Sequence, residues 1–142
     1  MANMTVEPVI KIWYDALRDQ NKMLGMKCKK CGYIEFPPVP ICNSCGYTEM
    51  EWVEISGNAV IESMGFSPMG VPPYTDDPCV IGFGRIAEGA CHAAMIMDKG
   101  PEDFEDLFDK LPIECRVEPV QMKDEIYYPN FRIGDLVTGR EA

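Results

Sequence analysis

The chain has 142 residues, of which 46% are apolar, and a formal net charge of −10. This length suits one ordinary domain or two small ones, and the apolar content excludes a disordered chain. The acidic charge argues against a nucleic-acid binder, because such proteins gain affinity by neutralising phosphates with Lys and Arg. No apolar run approaches the roughly 20 residues that span a bilayer, and the N-terminal residues lack a signal-peptide core. We therefore expect a cytoplasmic protein with neither a nucleic-acid nor a membrane partner.

An amphipathic helix is predicted near the N-terminus, with Thr5 as its N-cap and Glu7 in its first turn. The apolar residues that recur on one helical face are Val9, Ile12, Trp13, Ala16 and Leu17. We expect residues 1–23 to form a docking helix. Its partner-binding residues would be Ile12, Trp13 and Tyr14. The alternative is that this face packs against the protein's own core.

Four cysteines in two Cys-x-x-Cys pairs, Cys28 with Cys31 and Cys42 with Cys45, are the most informative feature of the chain. Two such knuckles facing each other form a tetrahedral site of the closed, structural kind. Because protein thiolates fill all four positions, the metal should stabilise the fold and perform no chemistry. We predict a structural Zn²⁺ in a rubredoxin-like ribbon at residues 24–48. Iron remains an alternative, since thiolate softness does not separate the two metals.

A basic run accompanies the first knuckle, with Lys22, Lys27, Lys29 and Lys30 and no acidic residue between Asp19 and Glu35. One interpretation is a solvated face beside a negatively charged zinc–thiolate centre. The other is a contact for a small anion or a partner protein.

From residue 49 to residue 142 the pattern changes to short strands, a long Pro-rich loop at 67–78 and one short helix. The predicted strands lie around 50–66, at 79–87, at 90–97, at 113–122 and at 126–133, with the helix at 102–111. A hairpin turn is expected at Glu88-Gly89. Strand, long loop, hairpin, helix, strand and strand is the order of a five-stranded OB barrel. The predicted fold class is therefore mainly β.

The cysteines outside the ribbon, Cys79, Cys91 and Cys115, all fall on predicted strands. Cys91 is next to His92, the only histidine, but neighbours on a strand point to opposite faces and cannot form a dyad. An activated thiol also needs a helix N-terminus or a nearby base. We therefore expect no catalytic residue in this chain.

Several motifs in chain order carry a resemblance to a known family. They are the helix around Trp13, Leu24, Cys28-x-x-Cys31-Gly32, Phe36-Pro37-Pro38, Cys42-x-x-Cys45-Gly46, Glu51-Trp52, Ser56-Gly57 and Glu88-Gly89. Together they resemble the zinc-ribbon OB-fold acyl-CoA-associated proteins, formerly domain of unknown function 35. The chain departs from the family at Pro78-Cys79, where Pro-Tyr is frequent, and near His92, where an aliphatic residue is frequent. These departures concern loop contacts and leave the predicted fold unaffected.

The resemblance implies a non-catalytic small subunit of a thiolase-superfamily acyl-CoA enzyme, whose large subunit carries the catalytic residues. It implies a heterotetramer of two small and two large chains, and an acyl-CoA C-acyltransferase of aromatic degradation as the whole enzyme. Candidate CoA contacts are Lys27, Lys29, Lys30 and Tyr74. Alternatives are a small subunit of an acyl-CoA retro-aldolase or enoyl-CoA hydratase, a single-strand nucleic-acid-binding ribbon and OB module, and a rubredoxin-like electron carrier.

Overall fold

The computed structural model describes residues 8–72 and 74–134, and the chain divides into two compact units. The first unit ends at Ile55 and the second begins at Ser56. The described residues confirm the predicted fold class: a mainly β chain with an N-terminal helix, a five-stranded barrel-like sheet and one short helix. Thr5 and Glu7, the expected first residues of the helix, lie outside the described residues. In the described ranges, no helix is long and apolar enough to cross a bilayer.

The first unit combines a helix with a three-stranded antiparallel sheet. Its elements are α1 (Pro8–Asp19), β1 (Leu24–Cys28), β2 (Ile34–Glu35) and β3 (Met50–Glu54). The strand order is β2-β1-β3, and β3 pairs with all five residues of β1. This pairing groups β3 with the N-terminal unit. The division into 1–23, 24–48 and 49–142 stays a prediction about domains.

The apolar face of α1 packs within its own unit. Trp13 is only 4% exposed, and its ring meets Phe36 edge-on at a centroid distance of 6.2 Å. For Trp13, the structure therefore favours the alternative in which this face covers the protein's own core, because the buried Phe36 ring supplies apolar surface for the indole. Ile12, by contrast, is 46% exposed and Tyr14 is half-buried. Partner binding through this helix stays a prediction.

The second unit is a five-stranded antiparallel sheet that curls into a nearly closed barrel. Its strands are β4 (Asn58–Ser67), β5 (Cys79–Ile86), β6 (Cys91–Met95), β7 (Ile113–Gln121) and β8 (Tyr127–Arg132). The order is β6-β5-β4-β7-β8, and a parallel bridge between Ile96 and Phe131 brings the two edges together. A register shift between Ile61 and Ser63 in β4 bends the sheet, as β-bulges do.

The barrel core is made of fully buried apolar side chains. Ile61, Val80, Val117 and Phe131 each have 0% exposure. Gly84 is needed where β5 pairs with β4, because a Cβ there would collide with the carbonyl oxygen of Val60. This core belongs to the second unit alone and does not depend on the cysteines of the ribbon.

The helix predicted at 102–111 is shorter in the structure. A 3₁₀ turn at Pro101–Asp103 leads into α2 (Phe104–Phe108), which has only five residues. The chain leaves the helical path before Leu111. Leu111 precedes Pro112, and a residue that precedes a proline disfavours the α conformation. The strands predicted at 79–87, 90–97, 113–122 and 126–133 agree with the structure to within about two residues. The strand predicted around 50–66 is instead divided into β3, which pairs with β1 in the first unit, and β4 of the barrel.

Candidate metal centre and neighbouring surfaces

The two knuckles bring the four predicted ligands together. The Sγ atoms of Cys28, Cys31, Cys42 and Cys45 all lie within 4.8 Å of one another. The Sγ atoms of Cys28 and Cys45 are 3.6 Å apart, and those of Cys31 and Cys42 are 3.5 Å apart. A zinc tetrahedron with Zn–S bonds of about 2.3 Å has sulfur–sulfur edges of about 3.8 Å. The donor set and its spacing therefore fit a structural zinc ion.

Both knuckles use the same backbone pattern. The amide of Gly32 donates to the carbonyl oxygen of Cys28 at 3.0 Å, and the amide of Gly46 donates to that of Cys42 at 2.8 Å. Both glycines have a φ near +80°, at 79° and 77°, a region that side chains with a Cβ disfavour. The matched glycines therefore close each turn so that its two thiols converge on one point.

The electrostatics of the four thiols favour a bound cation. Burial raises the pKa of Cys28, but the amides of Cys31 and Lys30 and the neighbouring thiols outweigh it and lower the pKa to about 6. At Cys45 the amide of Tyr47 lowers the pKa, while burial and the other three thiols raise it to about 12. Sulfurs this close cannot all carry charge unless a cation neutralises them. Zinc binding supplies that charge and releases the thiol protons.

Sequence reasoning did not single out Glu35, which the structure places beside the second knuckle. Its side chain is 7% exposed, and its Oε1 accepts a hydrogen bond from the backbone amide of Asn43 at 2.7 Å. Its Oε2 accepts a second one from Asn43 Nδ2 at 3.1 Å. The available signal was an acidic residue between Ile34 and Phe36 on a predicted strand, where an apolar neighbourhood makes a charge costly.

The three lysines proposed for CoA binding all lie in the first unit. Lys29 and Lys30 are exposed on the first knuckle, and Lys27 is half-buried on β1. Lys30 Nζ lies 5.8 Å from the ring centroid of Tyr47. Among the described residues, no ion pair involves these three lysines. They form a small positive surface around a centre whose thiolates carry negative charge.

Tyr74, the fourth proposed CoA contact, lies in the second unit and lines a mainly apolar cavity of about 260 Å³. The lining residues are Val71, Tyr74, Ile81, Ala93, Ala94, Met95, Tyr128 and Asn130. The rings of Tyr74 and Tyr128 lie 5.4 Å apart. The backbone of the 67–78 loop is tied at this point, because Lys123 N–H donates to the Tyr74 carbonyl at 3.3 Å and Lys123 Nζ pairs with Asp76 at 2.5 Å. Pro73 of this loop lies outside the described residues.

The remaining thiols and the histidine do not form a nucleophile–base pair in the described structure. His92 is 4% exposed with Nε2 2.8 Å from the carbonyl oxygen of Pro129, whereas Cys91 is exposed on the opposite face of β6. Burial lowers the pKa of His92. Burial raises the pKa of Cys79 and raises that of Cys115 to about 12. Raised values favour the protonated thiol, the opposite of an activated nucleophile.

Comparisons with known proteins agree with this architecture. Residues 15–51 match the family described as ChsH2, rubredoxin-like zinc ribbon domain. Over 99 residues the chain is 31% identical to a DUF35 domain-containing scaffold protein of Methanocaldococcus jannaschii, covering 67% of this chain and 68% of that protein.

Two solved structures share the fold. One is described as an Ltp2-ChsH2(DUF35) aldolase, with a TM-score of 0.70 and 20% identity, covering 91% of this chain and 97% of that chain. The other is a DUF35-family protein of Sulfolobus solfataricus, with a TM-score of 0.57 and 18% identity, covering 92% of this chain and 89% of that chain. The paired knuckles fit zinc, and the barrel sheet has five strands. Together with the relative from Methanocaldococcus jannaschii, which is 31% identical and 68% covered, these features show that the chain belongs to the DUF35 family.

Proposed function

We propose that this protein is a non-catalytic small subunit that supports the assembly and the acyl-CoA site of a thiolase-superfamily enzyme. Family membership supports an accessory role, since the archaeal relative is described as a scaffold protein. The ChsH2 structure with the same fold is described together with Ltp2, which supports a partner enzyme chain. The partner would carry the catalytic residues, and the assembly would contain two small and two large chains.

The observation that carries this proposal is a cluster of three aromatic side chains on the second unit, two of them exposed and one half-buried. Phe66 on β4 is 47% exposed, and its ring lies 6.5 Å from that of Phe104 on α2. Phe108, one turn further along α2, is 50% exposed and lies 5.8 Å from Phe104. Contiguous apolar surface of this kind marks protein interaction sites, and aromatic anchors dominate their energetics. We call Phe66, Phe104 and Phe108 the aromatic cluster.

Acidic residues surround the aromatic cluster and define the complementary surface. The exposed acidic residues of this segment are Glu102, Glu105, Asp106 and Asp109. A matching partner surface would present an apolar pocket with Lys and Arg at its rim, because complementary charge speeds association and excludes wrong partners. Ile12 and Tyr14 on α1 form a second candidate docking surface. The buried Trp13 would act there only by holding the helix in place.

For the whole enzyme we propose an acyl-CoA C-acyltransferase, with benzoylsuccinyl-CoA thiolase of anaerobic toluene degradation as the specific candidate. A retro-aldolase is the second candidate, and the fold neighbour described as an aldolase favours it. An enoyl-CoA hydratase is the third candidate partner. A nucleic-acid-binding role is disfavoured by the net charge of −10.

A direct CoA contact is part of the proposal. The amphipathic pantetheine arm suits a mainly apolar cavity with a few polar groups, such as the one lined by Tyr74, Tyr128 and Asn130. Lys29 and Lys30 of the first unit are a separate candidate contact for an anionic phosphate, argued independently of that cavity, because both are exposed and offer hydrogen-bond donors. Lys27 is half-buried on β1 and would add positive charge to this surface more than a direct contact with the phosphate.

Co-expression with a large chain of the thiolase, aldolase or hydratase class tests the proposal. The wild-type protein should co-purify with that chain. Phe66→Ser should weaken the complex at least about thirty-fold, because an interface anchor contributes about 2 kcal/mol or more. Phe83→Ser is the matched control, since Phe83 is 44% exposed on the adjacent strand β5 and lies outside the cluster. Failure of the wild-type protein to bind any of the three partner classes would overturn the proposed function. Equal binding by Phe66→Ser and Phe83→Ser would overturn only the docking surface.

A further inference from the structure

The two knuckles are attached to the rest of the first unit in different ways. Cys28, the first ligand, is itself the last residue of β1, so the sheet holds the first knuckle directly. The amides of Lys30 and Cys31 also donate to Cys28 Sγ, each at 3.4 Å. Cys42 and Cys45 lie outside every strand that the structure describes. The second knuckle therefore needs another link to the sheet if its thiols are to stay in position.

Glu35 supplies such a link. Its backbone is in β2, where it pairs with Met26 of β1. Its carboxylate reaches the residue after Cys42 and accepts both the main-chain amide and the side-chain amide of Asn43. A single buried side chain thus connects the three-stranded sheet to the second knuckle at the peptide that joins Cys42 to Asn43.

The charge of Glu35 makes this arrangement informative. A zinc ion with four thiolates carries a net charge of −2, so a second buried anion nearby is electrostatically unfavourable. Burying a carboxylate is costly unless it is well hydrogen-bonded, and two amide donors only offset that cost. A neutral apolar side chain would avoid the cost altogether. The benefit that remains is geometric: two acceptor oxygens fix the position and orientation of Asn43.

We propose that Glu35 is a positioning residue for the metal centre, which holds Cys42 and Cys45 ready for zinc by clamping Asn43. This role is independent of any partner enzyme and goes beyond the proposed function. Residues that orient metal ligands from outside the ligand shell change metal affinity by about 10–100-fold when they are removed. We expect a loss in that range, expressed as faster zinc release, when the clamp is removed.

The test compares Glu35→Ala, Glu35→Gln and Glu51→Ala in the full-length protein. Glu35→Ala removes both acceptors. Glu35→Gln keeps the shape of the side chain without its charge. Its Oε1 still accepts the backbone amide of Asn43, and its Nε2 can donate to Asn43 Oδ1 once the side-chain amide of Asn43 is flipped. Glu51→Ala is the control, because it removes an acidic residue from the same sheet at an exposed position. Zinc affinity is measured by competition with a chelator of known affinity, and site geometry by the ligand-field spectrum of the Co²⁺-substituted protein.

We expect Glu35→Ala to lose about 10–100-fold in zinc affinity and to broaden or shift the tetrahedral Co²⁺ bands. Glu35→Gln should stay within about three-fold of the wild type and keep its Co²⁺ spectrum. If Glu35→Ala does not fold, Asn43→Ala gives the test, because it removes the Nδ2 bond alone and should cause a smaller loss in affinity. The proposal would be overturned if Glu35→Ala bound zinc as tightly as Glu51→Ala does. When Asn43→Ala serves as the test, zinc affinity equal to that of Glu51→Ala would overturn it in the same way. So would an equal loss in Glu35→Gln, because that result would assign the effect to charge rather than to the clamp.

Discussion

Replacing one zinc ligand should unfold the ribbon and leave the barrel intact. Cys42→Ser removes a buried thiolate, with 1% exposure, and puts a poor zinc ligand in its place. A structural zinc ion binds with about 10–16 kcal/mol, so an equal share for each of four thiolates is about 2.5–4 kcal/mol. That share corresponds to a loss of about two to three orders of magnitude in zinc affinity. The first unit has a small sheet and depends on this energy. The barrel has its own core around Ile61, Val80 and Phe131.

Hydrogen exchange read by mass spectrometry, together with zinc analysis, measures this outcome. Peptides from residues 24–54 should lose protection in Cys42→Ser, while peptides from β4 to β8 should keep theirs. Cys91→Ser is the control, because it makes the same chemical change at an exposed thiol that is not a predicted ligand. Full ribbon protection in a zinc-depleted Cys42→Ser protein would refute the view that the metal stabilises this unit.

Three further predictions concern the cores and the histidine. Phe131→Ala should destabilise the barrel by about 3–5 kcal/mol in denaturant unfolding, because Phe131 is fully buried, whereas Phe83→Ala at a 44% exposed site should cost far less. Trp13→Ala should lower the stability of the first unit by a similar amount, as read from exchange of the peptides of α1 and β1, while Ile12→Ala should change it by less than about 1 kcal/mol. Burial lowers the pKa of His92 below its ordinary value of 6.5, so the unfolded chain takes up the proton first as the pH falls. The contribution of neutral His92 to the free energy of unfolding should therefore be complete above pH 6.5. Below that pH, the free energy of unfolding should fall by at most about 1.4 kcal/mol per pH unit. His92→Gln should remove that slope, and an NMR titration of this single histidine ring that gives a pKa of 6.5 or above would contradict the assignment.

The metal centre could be predicted from sequence because its geometry is local. Each pair of thiols is separated by two residues, and the glycine that follows permits the positive φ that closes the turn. The order of the barrel strands could likewise be predicted, since alternating apolar residues and the Glu88-Gly89 turn specify hairpins from neighbouring residues. Helix α2 was predicted too long because apolar spacing continued past the point where the chain turns toward Pro112.

The features that sequence did not determine depend on contacts between distant residues. The spacing of Trp13 with its apolar neighbours shows an amphipathic helix but does not say which surface that face covers. The structure gives the answer through contact with Phe36, 23 positions later in the chain. Glu35 was overlooked because an acidic residue is expected at the surface. Its burial becomes intelligible only when Asn43 is seen to satisfy both carboxylate oxygens.

Acyl-CoA turnover by three preparations tests the central claim most directly. They are the zinc-loaded chain alone, the large subunit alone, and the two chains together, each assayed by chromatographic separation of CoA and its acyl esters. We predict no turnover by this chain alone and full activity from a complex with equal numbers of small and large chains. Turnover by the isolated, partner-free chain with its zinc in place would contradict the assignment of an accessory subunit.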